Sequence, residues 1–393
     1  MGIKDLTDRS AVLSALARYD DQGRDAFLSE AEFGAAKRYF LQHNGKLYEA
    51  KAIAGAAYQI QFPDREHLEF SGGKEHANAA LEAMGFTVVD REASTLEEEL
   101  AWRLAVWEHL KATHDDLKKV EPTALRAFGA YGGAQGVWVD TQRTSKFHGE
   151  GVTVGILHTG VDYPDEVSDE GVFYHYPVTK RPAQRDRSEV AATQAAGTLQ
   201  LPIFVITKPT PSSTVRAVQL GWVSGWDDDS KQFLIDYGDQ PPEELITEDQ
   251  SDEEPFVPVV SQRTKKHRAV MERSDQNRFK LKVLKRYGSR CPLSGVTVPQ
   301  MIEAAHLIPH AKNGTSDPRN GLPLNVALHR AFDANLFAID PETLDVVVSR
   351  DGPSIADLGI ITPHLRDLAQ PPHREALEWR YNEWQRRAAP PEE

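Results

Sequence analysis

The chain reads as a multidomain α+β protein, and three observations carry that reading. Its first part alternates short helix signals with a hairpin. Residues from about Gly136 to Asp239 break into short β-type runs between Gly, Pro and Asp. The remainder joins a basic amphipathic helix to an apolar strand ending on a histidine, then a loop and a further helix. With 393 residues there is room for two or three domains, each with its own core. The composition shifts place a small α+β head at 1–125, a β-rich middle domain at 126–240, an acidic linker at 241–262 and a last domain at 263–393.

The head opens with a short amphipathic helix over Asp8 to Tyr19, with Leu13 and Leu16 on one face. Asn44-Gly45 between Tyr39-Phe40-Leu41 and Lys46-Leu47-Tyr48 predicts a tight hairpin. Ala50 to Tyr58 reads as helix. Ser71 is the expected cap of a second helix running to about Met84, which Gly85 ends before the strand-like Phe86 to Val89. Ser94-Thr95-Leu96-Glu97 has the form of a capping box opening a longer helix toward Thr113.

Four runs in the middle domain predict strands: Val152 to Leu157, Val172 to Tyr176, Ile203 to Ile206 and Phe233 to Ile235. Closely spaced strands with few helices predict a curved sheet or barrel. Pro241-Pro242 and a carboxylate-rich run containing Glu243, Glu244, Glu248, Asp249, Asp252, Glu253 and Glu254 close the domain. Arg263, Lys265, Lys266, Arg268, Arg273, Arg278, Lys280, Lys282, Lys285, Arg286 and Arg290 follow. That reversal of sign marks either an ordinary solvated helix after an acidic loop or a surface facing a polyanion. Phe279, Val283, Leu284 and Tyr287 supply the helical spacing, and Gly288 is the expected stop. Ile302 and Ala304 then alternate with Glu303 and Ala305 on a strand leading to His306. A turn-rich loop runs over Lys312 to Pro318. Helix is expected from Pro323 onward, a strand over Leu344 to Val348 and a closing helix over Glu375 to Arg387.

Composition narrows the functional classes. The formal net charge of −14 argues against polyanion binding if taken globally, so the local distribution matters more. No apolar run reaches membrane-spanning length, and the N-terminus lacks the basic-then-apolar pattern of a secretory signal. The single cysteine, Cys291, excludes a disulfide framework or a cysteine zinc ribbon, reads as a packed core thiol, and fits a reducing cytoplasm.

Chemistry concentrates near the end. His306 closes an apolar strand, Asn320 ends a loop, and His329 and Asp333 stand one helical turn apart. An imidazole can accept a proton from water near neutral pH, and donors at i and i+4 on one helix face suit a divalent metal. Glu303-Ala304-Ala305-His306-Leu307-Ile308-Pro309, Asn320-Gly321-Leu322 and His329-Arg330-Ala331-Phe332-Asp333 together resemble the HNH endonuclease family. The resemblance implies a ββα-metal fold with His306, Asn320 and His329 as the catalytic set. It further implies Mg²⁺, Mn²⁺ or another divalent ion on His329 and Asp333, and products with 5′-phosphate and 3′-hydroxyl ends. Many such enzymes carry Asp or His just before the general base; here that residue is Ala305, with Glu303 or His310 as candidate substitutes. Arg330 is either a phosphate contact or an ordinary surface arginine.

Two further resemblances concern the preceding domains. Asn44-Gly45-Lys46-Leu47-Tyr48, Lys51-Ala52-Ile53 and Phe70-Ser71-Gly72-Gly73, within Gly34 to Phe86, look like the head module of McrA-like restriction proteins. The segment contacts DNA, mediates assembly or acts as a structural adaptor; no charge or motif in it decides. Asp162-Tyr163-Pro164-Asp165-Glu166-Val167 followed by Gly171-Val172-Phe173-Tyr174-His175-Tyr176 resembles the SET-and-RING-associated (SRA) domain, a PUA-like barrel whose EVE and ASCH relatives compete for the same residues. The resemblance implies a pocket for a flipped modified cytosine. Tyr163 and Tyr176 can supply its flat faces, and Asp165 or Glu166 an acceptor for the exocyclic amine. Lys180, Arg181 and Arg185 suit the backbone of the distorted strand. Without the resemblance, Tyr163, Tyr174 and Tyr176 read sooner as barrel aromatics than as a base pocket. Pro177 replaces a hydroxyl residue common in the family, which leaves the modification open.

The combination resembles a type IV, McrA-like, modification-dependent restriction endonuclease. Its expected substrate is double-stranded DNA carrying 5-methyl- or 5-hydroxymethylcytosine, and cutting both strands requires a homodimer or successive nicks. A reader of modified DNA with an inactive nuclease, and a nuclease blind to modification, are the alternatives.

Overall fold

The computed structural model describes residues 2–65, 70, 73–132, 136–159, 166–179, 181–249, 251–259 and 268–388. The chain divides into two compact units, Met1–Thr159 with Ala191–Leu220, and Gly160–Val190 with Gly221–Glu393. Among the described residues no helix is long and apolar enough to cross a membrane.

The first unit begins as expected. Helix Arg9–Gln22 is capped by the Asp8 carboxylate, which accepts from Ser10 N at 2.8 Å. Its buried stripe runs through Val12, Ala15, Leu16 and Tyr19, so Leu13 falls one step off the core face and is exposed. The hairpin Tyr39–His43 and Lys46–Glu49 forms around Asn44-Gly45, and Thr87–Asp90 adds to the other edge of Tyr39–His43. The alanine-rich helix Ala50–Gln61 packs nearly all its faces. Ser71 lies outside the described residues, and the following helix is shorter than expected, Ala77–Ala83 after His76.

The expected capping box is shifted by one residue. Thr95 is the cap of Leu96–Thr113, its hydroxyl accepting from Glu98 N at 3.2 Å. Glu98, rather than Glu97, reaches back to Ser94 N at 2.6 Å.

The β-rich segment contributes strands to both units. In the first, the order is Val137–Val139, Thr153–His158, Ile203–Thr207 and the start of Ala217–Asp227. In the second it is the rest of that long strand, then Gln232–Tyr237, Gly171–His175 and Glu166–Val167. Neither run closes on itself among the described residues, so of the curved sheet or barrel expected the strands form open sheet, and no closed SRA/PUA-like barrel is formed among those residues. Thr153–His158 pairs in parallel with Ile203–Thr207, which requires a crossover. The connection contains helix Ala183–Thr198, absent from the sequence reading. Its buried positions include Ala192, Ala195 and Ala196, too small to give large-residue periodicity.

The remainder of the second unit is built on hairpin Ile302–His306 and Gly321–Asn325, with Ala305 opposite Leu322 and His306 opposite Gly321. Residues from Pro323 thus complete a strand before helix Val326–Asp333 begins under an Asn325 cap. Helix Arg268–Tyr287 packs on the hairpin through Phe279 and Val283. Gly321 permits that approach: a Cβ there would stand 2.6 Å from both side chains. Phe337–Ile339 and Val346–Val348 form a second hairpin, and Arg374–Ala388 closes the chain. Leu293, Ile302, Leu307, Leu324, Leu328, Phe332 and Phe337 fill the core with Cys291, which is fully buried. Each large apolar side chain sequestered in this way contributes about 2 kcal/mol.

Three of the basic residues expected to face a polyanion meet the acidic run instead, while Arg263, Lys265, Lys266 and the side chains of Arg268 and Arg273 lie outside the described residues. Arg278 Nη2 donates to the Glu244 carbonyl at 2.8 Å, and Lys282 pairs with the Glu244 carboxylate at 2.9 Å. Arg286, almost fully buried, pairs with Asp249 at 2.8 Å and Asp252 at 3.1 Å. At Arg278, Lys282 and Arg286 the sign reversal reflects neutralisation by carboxylates that are neighbours in space.

Candidate active site

Strand Ile302–His306 delivers two candidate side chains, Glu303 and His306, on alternate faces. His306, at its end, stacks on Phe279 of helix Arg268–Tyr287, with ring centroids 3.7 Å apart and planes 15° from parallel. Its Nε2 is buried without a hydrogen-bond partner among the described residues. An unpaired buried ring nitrogen costs about 1–3 kcal/mol and points to a role outside packing. Burial lowers the His306 pKa to about 4, with the charges of His310 and His329 acting in the same direction.

Glu303 and Ala305 share the other strand face. Ala305 is fully buried, while the Glu303 carboxylate reaches His329 on the following helix, Oε2 to Nδ1 at 2.7 Å. The second His329 nitrogen, Nε2, faces Asp333 Oδ2 at 3.4 Å. Arg380, from the closing helix, stands 3.7 Å from Asp333 Oδ1 and donates to the Phe332 carbonyl. Its guanidinium lies 4.2 Å from the Phe332 ring centroid. Arg380 is buried, so a fixed cation stands behind the exposed Asp333 carboxylate without a hydrogen bond to it. Nothing in the local sequence announces that contact, because Arg380 is far along the chain and reads as an ordinary helix residue.

Asn320 is fully buried and acts on the loop rather than on His306 directly. Its Oδ1 accepts from Ile308 N at 2.8 Å, and its Nδ2 donates to Ile308 O at 3.0 Å and Thr315 O at 2.8 Å. Its own carbonyl accepts from Leu307 N at 2.9 Å, next to His306. Gly314 lets the loop close: a Cβ there would meet the Ile308 carbonyl oxygen at 1.9 Å. The asparagine thus clamps both ends of the connection that follows the imidazole.

Metal fit can be judged from these donors. Among the described residues no group of three His, Cys, Asp or Glu side chains is arranged to hold an ion. His329 Nε2 and Asp333 Oδ2 nevertheless form a two-donor edge of the right chemistry for a divalent cation. The Glu303 carboxylate on the far nitrogen has the usual form of a carboxylate orienting a metal-binding histidine. The residues fit an ion completed by water and substrate oxygens.

The expected base pocket is only partly described. Tyr163, Asp165 and Lys180 lie outside the described residues, as does the side chain of Glu166, whose backbone pairs with Phe173. Tyr176 is buried, with its hydroxyl donating to Asp228 at 2.8 Å and its ring 4.4 Å from Phe233. It is packed and anchored in this conformation. Arg181 is held bidentately by Glu189 at 2.7 and 2.8 Å and by Asp186 at 2.9 Å, whereas Arg185 has a looser 3.4 Å contact with Glu189. Arg330 is exposed on the outer side of the His329 helix.

The hairpin, the clamped loop and the short helix define an HNH endonuclease domain, and residues 291–340 match that family. Residues 4–90 match the ScoMcrA-like N-terminal head domain, so the chain combines a ScoMcrA-like head with an HNH endonuclease domain. No curated protein matches the chain. Similar solved structures include the modification-dependent TagI restriction endonuclease, at 16% identity and TM-score 0.28, covering 69% of this chain and 93% of that one. Another is the type IV phosphorothioation-dependent restriction endonuclease ScoMcrA, at 14% identity and TM-score 0.22, covering 97% and 99%. KRYPTONITE in complex with mCHG DNA and SAH is similar at 16% identity and TM-score 0.23, over 38% and 40%.

The buried histidines set a pH dependence. His109, in the first unit, accepts from Leu47 N at 3.0 Å and is also lowered to about 4, chiefly by burial. Between about pH 4 and 6.5 the unfolded chain protonates both rings while the folded protein does not. Their stability contribution is therefore complete above about pH 6.5 and declines as pH falls toward 4. Urea midpoints measured across that window should fall, and His306→Phe should flatten the slope. An unchanged slope in the variant would show that His306 is not buried in its neutral form.

Proposed function

We propose that this protein is a modification-dependent DNA endonuclease that recognises 5-methyl- or 5-hydroxymethylcytosine and hydrolyses the backbone at its HNH domain, restricting foreign DNA. The observation that carries the catalytic part is an orphaned imidazole, His306, three residues along the same strand from Glu303, which holds His329 and, through it, faces Asp333.

In this reading His306, neutral at physiological pH, accepts a proton from water as the water oxygen attacks phosphorus. The bond to the 3′ oxygen breaks, that oxygen takes a proton from solvent water, and the ends are 5′-phosphate and 3′-hydroxyl. The approach of the anionic substrate raises the basicity of His306 above its value in the free protein. Asn320 holds the loop so that the imidazole does not drift. Glu303 keeps His329 Nδ1 protonated and directs Nε2 toward Asp333, while the charge of Arg380 stands behind that carboxylate. A divalent ion such as Mg²⁺ or Mn²⁺ bound at His329 and Asp333 would supply Lewis-acid stabilisation to the phosphate and the departing oxygen. Arg330, with no ion partner among the described residues, is suited to a neighbouring phosphate.

Recognition is assigned to the 126–240 segment, as an SRA-like module that extrudes the base. Tyr163 and Tyr176 provide its stacking faces, Asp165 or Glu166 its acceptor, and Lys180, Arg181 and Arg185 its backbone contacts. Using Tyr176 this way requires releasing its hydroxyl from Asp228. Each HNH site cuts one strand, so a double-strand break needs a homodimer or successive nicks. The cytoplasm, where one buried thiol stays reduced, is the compartment that suits this task.

The test is cleavage of matched DNA bearing cytosine, 5-methylcytosine, 5-hydroxymethylcytosine or its glucosylated form, with Mg²⁺ or Mn²⁺. Preference for a methylated or hydroxymethylated substrate is expected. Equal cutting of all would leave a nuclease blind to modification, and selective binding without cutting would leave a reader. Ala305, apolar where many HNH sites hold a ligand, gives the reader its one specific support.

A further inference from the structure

A cleft of about 450 Å³ in the first unit, formed by the 37–38, 91–94 and 140–146 segments, has the chemistry of an oxyanion site. Arg143 lines it although its side chain is only 5% exposed. None of the three guanidinium nitrogens of Arg143 makes a hydrogen bond among the described residues. Glu99 Oε1 stands 3.2 Å from Nη2 and Asp140 Oδ2 3.7 Å from Nε, giving charge attraction without alignment. Glu99 Oε1 is meanwhile engaged by Arg103 at 2.7 Å, while Glu99 Oε2 is buried without a partner among the described residues. A buried guanidinium with every N–H unspent is costly, and because its nitrogens are sealed in this conformation an acceptor in the cleft meets them once the side chain rotates toward the lining.

The surrounding charges favour an anion. Arg91, beside Arg143, has its pKa lowered by burial and by that neighbour's charge. It donates to Ala127 O at 3.1 Å through only one nitrogen. Lys146 donates to the Ala93 carbonyl rather than to a carboxylate. Lys37, at the exposed rim, has no ion partner among the described residues. Of the lining carboxylates, Glu92 is drawn 3.4 Å from Arg38, which also binds Asp90. In a chain of net charge −14 this is a local reversal of the field.

We propose that this cleft binds a phosphate group, received on the Arg143 guanidinium with Arg91 and Lys37 beside it. Guanidinium forks and an ammonium suit the several acceptor oxygens of a phosphate better than a single carboxylate. The phosphate comes either from a DNA backbone or from a free phosphate compound. The site is independent of the HNH reading, since it uses no residue of that hairpin.

The test is calorimetric titration of the full-length protein, with chelator present so that no cleavage intervenes, against inorganic phosphate and a short unmodified duplex. Lys37→Glu lies on the exposed rim and should fold normally. Arg143→Gln removes the buried donors, and Lys118→Glu is an exposed control for net charge. Phosphate affinity should fall about tenfold in Lys37→Glu and Arg143→Gln but not in Lys118→Glu. If the duplex displaces phosphate, and Lys37→Glu lowers the salt dependence of duplex binding by about one ion, the source is backbone. Phosphate binding untouched by duplex identifies a free phosphate compound. Wild-type protein that binds neither probe, or binds both no better than Lys37→Glu, overturns the assignment.

Discussion

His306→Ala should lower DNA cleavage by about a thousandfold while leaving substrate binding within a few-fold of wild type. Loss of a positioned general base commonly costs between about a hundred- and ten-thousandfold, and the lower end applies where other groups still polarise the phosphate. The substitution also removes the ring stacked on Phe279 and its orphaned Nε2. Lost packing destabilises, whereas relief of the unpaired polar atom stabilises, so the net change should stay within about 2 kcal/mol. Activity and stability therefore separate, and single-turnover cleavage beside urea unfolding reads both. Partial recovery with added imidazole would place the lost function in proton transfer. Full activity in the variant would exclude His306 as the base.

The second large effect concerns the opposite strand face. His329→Ala should abolish metal-supported cleavage at any attainable Mg²⁺ or Mn²⁺ concentration, because it deletes one of two donors standing 3.4 Å apart. Glu303→Gln should behave differently. It retains a side chain that can accept from His329 Nδ1 but loses the carboxylate charge, so metal affinity should weaken about ten- to a hundredfold. Excess metal should restore cleavage in Glu303→Gln and not in His329→Ala. Titration of Mn²⁺ binding gives an independent readout. Identical, metal-insensitive loss in both variants would mean that Glu303 does something other than orient the imidazole.

The sequence was most informative where chemistry is local. Asn44-Gly45 sets a hairpin because few residues tolerate that turn, and Phe279, Val283, Leu284 and Tyr287 mark a helix face by spacing alone. The box at Ser94 was legible but off by one, since Thr95 and Glu98 satisfy the same rule. Helix Ala183–Thr198 escaped because alanine buries without leaving a hydrophobic stripe. The acidic and basic runs were legible as charge but not as partners: Lys282 and Glu244 are distant in sequence and meet only when the chain folds back.

The same division holds at the HNH site. The kinds and order of the residues proposed for it, His306, Asn320, His329 and Asp333, are written in the chain. Only the tertiary structure decides what holds each one. Asn320 turns out to clamp the Ile308–Thr315 connection, Glu303 to grip His329, and Arg380 to back Asp333. Spacing along a strand or helix reports direction within one element. Contacts between elements depend on how their buried faces pack, and the linear pattern does not contain that information.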